Sequence, residues 1–259
     1  MGLIKQHTYG SGKLHFAQFL PNTQTPGALR YIGNTTELTL TSEQEKLDHY
    51  DSDNGIRTKD DSVVTSLEQS GTFVTDNIND ENVAMFFLGT TTSLTQASGT
   101  AQEDTIASIE FGSYQLGVTP TRPTGVRKVT VTSVALSAAP ATAYTAGLDY
   151  VVDADRGLVT ILRGGAITKG AGIKITYSFA ASTRQQVMSS NKTVEGRLWF
   201  ESKNAVGPQR DYTFPYVKLT PNGDFALKSD DWLTMPFSVE VLTLGALAAV
   251  YADGVAMAQ

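Results

Sequence analysis

The chain has 259 residues, a formal net charge of −6 and no cysteine. This length allows one large domain or two small ones with a packed core. The absence of cysteine excludes disulfides and thiolate metal sites. The acidic balance argues against a general nucleic-acid binder, because tight phosphate binding needs clustered lysine and arginine. Charged residues make up only 18% of the sequence, and abundant threonine, serine and glycine favour a β-rich protein with many turns.

Targeting signals are absent from the sequence pattern. Met1–Gln6 does not begin an apolar stretch typical of a signal peptide. The longest apolar run, Leu244–Ala252, is too short to span a bilayer. We therefore expect a soluble protein made in the cytoplasm, with no membrane partner.

The first half of the chain predicts a hairpin with a long connection. Lys13–Leu20 and Ala28–Gly33 predict two short strands. Thr36–Thr41 and Val63–Val74 then alternate with a period of two, which is typical of strands with one apolar face. Between them, Glu43–Asp61 is rich in acids and has no apolar period. We expect a loop there, and because loops of this length usually bind a partner or are disordered, we favour a binding or assembly role.

A short helix is predicted after the hairpin, over Asp80–Gly89. Asn79 or Asp76 can cap its start, and acidic residues favour its first turn. Gly89 suits the position after its end. The apolar side chains share one face, which predicts a helix that closes one end of a β-core.

The middle of the chain predicts an inserted unit. Ile106–Phe111 is a possible strand, and several short strand patterns separated by glycine turns follow it. The clearest of these is Ile173–Phe179. We place a small β-rich unit at 117–182, inserted into a discontinuous main fold made of 1–116 and 183–259.

The main fold resumes with three alternating segments. Val194–Glu201, Tyr212–Tyr216 and Leu233–Val241 predict strands. Pro215 removes a donor from the ladder, so its strand is expected to be an edge or to carry a bulge. Gly245–Gln259 predicts an arm or a last strand.

No arrangement of residues typical of catalysis occurs. The three histidines have no partner at metal-ligand spacing. Asp51–Gly55 fails as a calcium loop, because residues without carboxylates occupy ligand positions. A weak, adventitious cation site built from Asp48, Asp51 and Asp53 stays open. The sequence predicts no catalytic, cofactor-binding or metal residues, and we expect a protein that is not an enzyme.

Four segments carry a family resemblance. Gly33–Leu40, the acidic segment up to Lys59, Asp76–Gly89 and Trp232–Leu242 resemble major tail tube proteins of long-tailed, non-contractile (siphovirus-type) bacteriophages. Tyr150–Tyr177, with its glycine turns, is similar to β-repeats of phage tail proteins. The resemblance implies a mainly β fold, a tail-tube-type β-sandwich or barrel with a short flanking helix and the inserted unit on the tube exterior.

The same resemblance implies a structural virion protein, assembled in the host cytoplasm into stacked hexameric rings of the tail. Its partners would be further copies of itself, the tape measure protein, the tail terminator, and genomic DNA that passes through the lumen without tight binding. The residues expected to contact the next ring are Glu43, Glu45, Asp48, Tyr50, Asp51, Asp53, Arg57 and Lys59. Those expected on the lumen face are Glu37, Glu68, Glu195 and Glu240.

Other functions stay open from the sequence. A monomeric carbohydrate-binding β-module or adhesin would use exposed aromatics such as Trp199, Tyr212 and Tyr216. A hydrolase with an unrecognised site is a further alternative, as is a tube or terminator protein of a contractile phage. For the tail tube, we expect deletion of Gln44–Thr58 to leave the fold intact and to prevent ring stacking.

Overall fold

A computed structural model describes residues 7–53 and 55–254. The N-terminal Met1–Gln6 and the last five residues of the predicted C-terminal segment lie outside the described residues. The protein is mainly β, as predicted, with one helix among the described residues. That helix has seven residues, so the described residues contain no helix of membrane-spanning length. The chain divides into a unit made of 1–92 and 187–259 and a second unit made of 93–186.

The first unit is built on one eight-stranded antiparallel sheet. Its elements are β1 (Gly12–Gln18), β2 (Arg30–Gly33), β3 (Thr35–Asp51), β4 (Thr58–Thr75), α1 (Asp80–Phe86), β14 (Val194–Ser202), β15 (Arg210–Pro221), β16 (Met235–Leu242) and β17 (Tyr251–Gly254). The strand order is β2-β1-β14-β15-β16-β4-β3, and β17 pairs with β15. The two ends of this order are β2 and β3.

One face of this sheet packs into the core of the first unit. Phe73 on β4 lies opposite Phe237 on β16, and their rings stack with centroids 5.0 Å apart. Phe86 of α1 meets Phe237 edge to face at 5.8 Å, so the helix covers the core as predicted. Asn79 caps α1 by accepting a hydrogen bond from the Asn82 backbone N–H. The helix is short, and its position depends on this aromatic contact rather than on helix propensity.

The predicted bulge at Pro215 is confirmed. The register of β14 against β15 shifts between Gly196 and Leu198, where Pro215 and Tyr216 oppose one residue. The strand is not an edge, because β16 and β17 pair with its other side. The bulge leaves the backbone of Pro215 outside the regular ladder, which its missing N–H requires.

The second unit has its own core, and it begins earlier than the predicted residue 117. Its strands are β6 (Gly99–Ile106), β7 (Ser113–Gln115), β8 (Val129–Leu136), β9 (Ala139–Ala143), β10 (Tyr150–Asp153), β11 (Leu158–Ile161) and β12 (Ile173–Phe179). They form a sheet of order β6-β12-β8-β9 and another of order β10-β11-β7. The residues that connect the units form β5 (Thr90–Gln96) and β13 (Ser182–Met188), which pair with each other.

The predicted boundary and the predicted strand Ile106–Phe111 are both wrong for one reason. The strand lies earlier, at Gly99–Ile106, and it pairs with β12 along its length. Its sequence is polar and it lacks an apolar face, so periodicity did not reveal it. Cross-strand contacts stabilise it instead, including the Lys174–Glu103 ion pair at 2.9 Å.

Asp149 is a buried carboxylate that ties two loops of the second unit together. It is 3% exposed, and it accepts hydrogen bonds from the backbone N–H groups of Thr145 at 2.7 Å and Ala166 at 2.6 Å. These two donors hold the pKa of Asp149 below its ordinary value. The ionised form is therefore the one that fits this loop arrangement.

We expect this carboxylate to make the stability of the second unit fall in acid. A lowered folded-state pKa contributes stability above the ordinary value of 3.8, and that stability is lost as the pH falls through the lower folded pKa. Asp149→Asn should lower the urea midpoint at neutral pH, with a difference from wild type that shrinks in acid. Asp155→Asn, at an exposed carboxylate of the same unit, is the control. It should change neither the urea midpoint at neutral pH nor the midpoint in acid. An equal midpoint for wild type and Asp149→Asn at neutral pH would contradict this role.

Candidate assembly surface

The long loop predicted at Glu43–Asp61 is wrong, and the structure shows a hairpin arm in its place. Strand β3 continues to Asp51 over 17 residues, and β4 begins at Thr58. Pairing runs without interruption from Leu38 opposite Phe73 to Asp51 opposite Thr58, with bulges after Glu45 and His49. The segment lacks an apolar period because no other element of the described chain covers either face of the arm, so nothing selects alternation there.

We define the arm as residues 40–71. Polar contacts between its two strands hold the outer part. The Lys59 ammonium lies 2.6 Å from the Asp48 carboxylate, which also accepts a hydrogen bond from the Ser62 hydroxyl at 2.8 Å. These two donors lower the pKa of Asp48, with Lys59 the larger cause. His49 contacts Asp60 at 2.6 Å.

The eight predicted inter-ring residues therefore lie on this arm and its tip rather than on a loop. Glu43, Glu45, Asp48, Tyr50 and Asp51 are on β3, and Lys59 is on β4. Asp53 and Arg57 are in the connection between the strands, where the Arg57 guanidinium lies 4.5 Å from the centre of the Tyr50 ring.

Asp48, Asp51 and Asp53 do not support the weak cation site. The Asp48 carboxylate is already held by Lys59 and Ser62, and Asp51 accepts a hydrogen bond from the Asp53 backbone N–H at 2.9 Å. Across 7–53 and 55–254, no three histidine, cysteine or acidic side chains lie close enough together to hold a metal ion.

Large apolar side chains remain exposed on both faces of the arm. Leu47 and Val63 lie directly opposite each other and are 69% and 60% exposed. Leu40 and Leu67 lie on the other face, the one that continues from the core, and are 47% and 58% exposed. Only Leu47 lies in the segment that the sequence predicts as a loop, whereas Leu40, Val63 and Leu67 lie in predicted strands. Sequence reasoning missed this surface because it predicts one apolar face in each strand but not that the face stays exposed.

The four glutamates predicted for the lumen lie on one face of the sheet. Cross-strand pairing places Glu195, Lys218, Glu240 and Ser70 in one row, and Glu37 and Glu68 lie on the same face of β3 and β4. This face is opposite to the buried one, which carries residues such as Val239 and Leu219. We call it the polar face.

Hydroxyl side chains fill the next row of the polar face. Thr220, Ser238, Thr72 and Thr39 are neighbours across four strands, and the hydroxyls of Thr39 and Thr72 are 2.7 Å apart. Where β14 and β15 contribute to the polar face, burial and the charge of Glu195 raise the pKa of Tyr216. The result is a wettable surface in which glutamate is the main charged residue.

The three aromatics considered for carbohydrate binding do not share a surface. Trp199 lies on the polar face beside His15, with ring centroids 5.0 Å apart. Tyr212 pairs with Phe200 and packs against the core on the opposite face. Tyr216 is on the polar face but lies beside Phe19 at 5.3 Å. A sugar ring therefore cannot stack on all three.

Two like charges are directly opposed on the arm. Glu43 on β3 faces Glu68 on β4, and a like-charge pair in this position is destabilising. We expect Glu68→Gln to slow amide hydrogen exchange in the neighbouring arm residues by about twofold in dilute monomer. Glu37→Gln is the matched control, because Glu37 faces the uncharged Val74. Amide hydrogen exchange in the arm should be the same in this variant as in wild type. Faster exchange in Glu68→Gln would show that the opposed carboxylates do not strain the arm.

Comparison with known proteins identifies the family without naming an activity. No curated protein matches the chain. A family model described as "Protein of unknown function UCP028589" matches residues 7–244, which include the arm, the polar face and the second unit. The chain therefore belongs to the family of protein of unknown function UCP028589.

Proposed function

We propose that this protein is a structural virion protein whose copies assemble into stacked hexameric rings and form the tail tube of a long-tailed, non-contractile phage. The observation that carries the proposal is the arm, a two-stranded extension with no partner within the described chain and with leucine and valine exposed on both faces. The resemblance of the sequence to tail tube proteins agrees with it.

The open edge of β3 supports self-assembly. This strand ends the sheet order, so the outward backbone N–H and C=O groups along its 17 residues have no strand partner in the described chain. Monomeric proteins blunt such edges by shortness, proline or covering elements. A ring of identical copies pairs every edge and closes without leaving one free.

The apolar side chains of the arm supply a driving force for association. Burying a fully exposed leucine or valine contributes about 1.5–3 kcal/mol. Leu40, Leu47, Val63 and Leu67 would together offset much of the cost of association. Because they lie on both faces, the arm suits a position between two neighbouring copies.

The base of the arm borders a groove that suits a segment of a neighbouring copy. Leu38, Leu40, Phe200, Tyr212 and Phe214 line an open cavity of about 330 Å³ in the first unit. It lies on the apolar side of the sheet, next to the open edge.

The polar face fits the wall of a conduit for DNA. Its threonine and serine hydroxyls wet the surface, and its glutamates repel phosphates. DNA would therefore pass without tight binding. In this proposal the tape measure protein occupies the lumen before DNA does, the tail terminator ends the tube, and the second unit lies outside it.

A register-matched shortening of the arm tests the proposal. Deletion of Gln44–Thr58 is unsuitable, because it removes β3 residues and leaves their β4 partners unpaired. Replacing residues 46–65 with Asn-Gly closes a tight hairpin beyond the Glu45–Ser66 pair. None of the described residues that are removed belongs to the core of the first unit, so the monomer should keep its near-UV circular dichroism. In sedimentation velocity, we expect hexamers and larger species for the full arm and monomers for the short one.

A point-variant series separates arm length from arm chemistry. Leu47→Ser with Leu67→Ser should reduce assembly with no change in the unfolding of the monomer, because both side chains are exposed. Trp232→Ser, at a residue that is 88% exposed outside the arm, is the control and should assemble like wild type. Assembly of the short-arm protein at the wild-type concentration would contradict the role of the arm.

A further inference from the structure

One arginine lies in a constrained turn of the second unit, and two others contact that turn. Residues 119–126 form the turn, in which the backbones of Thr119 and Arg122 exchange hydrogen bonds at 3.0 and 3.2 Å. Gly125 follows with φ of 63°, and a Cβ there would collide with the Leu116 carbonyl oxygen. Arg122 is therefore held on a rigid, exposed part of the chain.

Two other arginines are anchored to this turn. Arg127 donates from Nη1 to the carbonyl oxygens of Thr124 and Arg156, both at 2.8 Å. Arg184 donates from Nη2 to the Thr124 hydroxyl at 3.0 Å and to the Gly125 carbonyl at 3.3 Å. Both side chains are half-buried, and the contacts fix the two guanidinium groups beside one turn.

The positive charge of this cluster is not neutralised by ion pairs. Within the described part of the chain, no carboxylate lies within 4.0 Å of the guanidinium groups of Arg122, Arg127 or Arg184. Burial lowers the pKa of Arg184, and the charges of Arg127 and Arg122 lower it further. The Asp104 carboxylate is engaged elsewhere, by the Gly117 N–H at 2.7 Å and the Tyr177 hydroxyl at 3.2 Å.

Several guanidinium donors in the cluster remain free. In the described chain, Nε and Nη2 of Arg127 and Nε and Nη1 of Arg184 make no hydrogen bond. None of these atoms is fully buried, since the fully buried side-chain atom without a partner among the described residues is Nε of Arg197. Pre-positioned, water-accessible donors with unbalanced positive charge are what an anion with several acceptor oxygens requires.

We propose that Arg122, Arg127 and Arg184 form a binding site for a phosphate-class oxyanion. A tetrahedral oxyanion presents enough oxygens for three guanidinium groups, and its negative charge relieves their mutual repulsion. A carboxylate has two oxygens and one charge, so it should bind more weakly. The three arginines all belong to the second unit, and the proposal does not depend on the proposed tube.

Titration of the full-length protein with inorganic phosphate, acetate and polyphosphate tests this site. In isothermal titration calorimetry, we expect saturable phosphate binding that is tighter than acetate binding. Arg122→Gln should weaken it by about tenfold, as the loss of one charge-assisted hydrogen bond would. Because the Arg122 side chain is exposed, this variant should keep the wild-type unfolding midpoint. Lys169→Gln, which removes an exposed cation from the same unit, is the matched control and should bind like wild type.

The two phosphate probes distinguish the source of the oxyanion. Binding of inorganic phosphate that depends on Arg122 supports a site for a free oxyanion. Arg122-dependent binding of polyphosphate alone supports a site for phosphate carried on a polymer. Absence of saturable binding of both, or equal weakening by Arg122→Gln and Lys169→Gln, would overturn the proposal.

Discussion

Antiparallel pairing between β3 and β4 determines which surfaces of the first unit are buried and which are open. Near the core, Leu38 and Phe73 pair and face the aromatic cluster around Phe237, so alternation sends Glu37, Thr39 and Thr72 to the polar face. The same pairing continues past the core, where no other element of the described chain covers it. One continuous ladder thus joins a stable core to an arm whose apolar side chains are solvent-exposed.

The second unit shows a different use of β-structure. Its buried cluster includes Val159, Ile173 and Ile175, all fully buried, and it is closed by the chain's own strands. Buried polar groups fix its loops: Asp149 bonds two backbone N–H groups, and the Gln96 side chain bonds the backbone of Arg127 and Ala180. A unit with its own core can be inserted into another fold without contributing to that fold's sheet.

Sequence patterns predicted the elements whose stability comes from burial within one chain. Ile173–Phe179 and Leu233–Val241 alternate cleanly because one face of each strand is in a core, and α1 has a capping residue and a shared apolar face. The part of β3 after Thr41, the start of β4 before Val63 and strand β6 lack this signal, since cross-strand polar pairs such as Lys59 with Asp48 leave no periodicity. The sequence supports the hypothesis that Glu37, Glu68, Glu195 and Glu240 share a face. The face that each one occupies depends on bulges that the sequence does not reveal.

Assembly into a ring would explain why an open edge, exposed leucines and an acidic hydroxyl-rich face occur in one sheet. In a monomer the open edge and the exposed leucines favour non-specific aggregation. In a closed tube they would contact neighbouring copies, and the acidic hydroxyl-rich face would line the lumen. Negative-stain electron microscopy of the purified full-length protein tests this claim most directly. We expect rings or tubes with a central lumen at high protein concentration. Isolated monomers at every protein and salt concentration would contradict it.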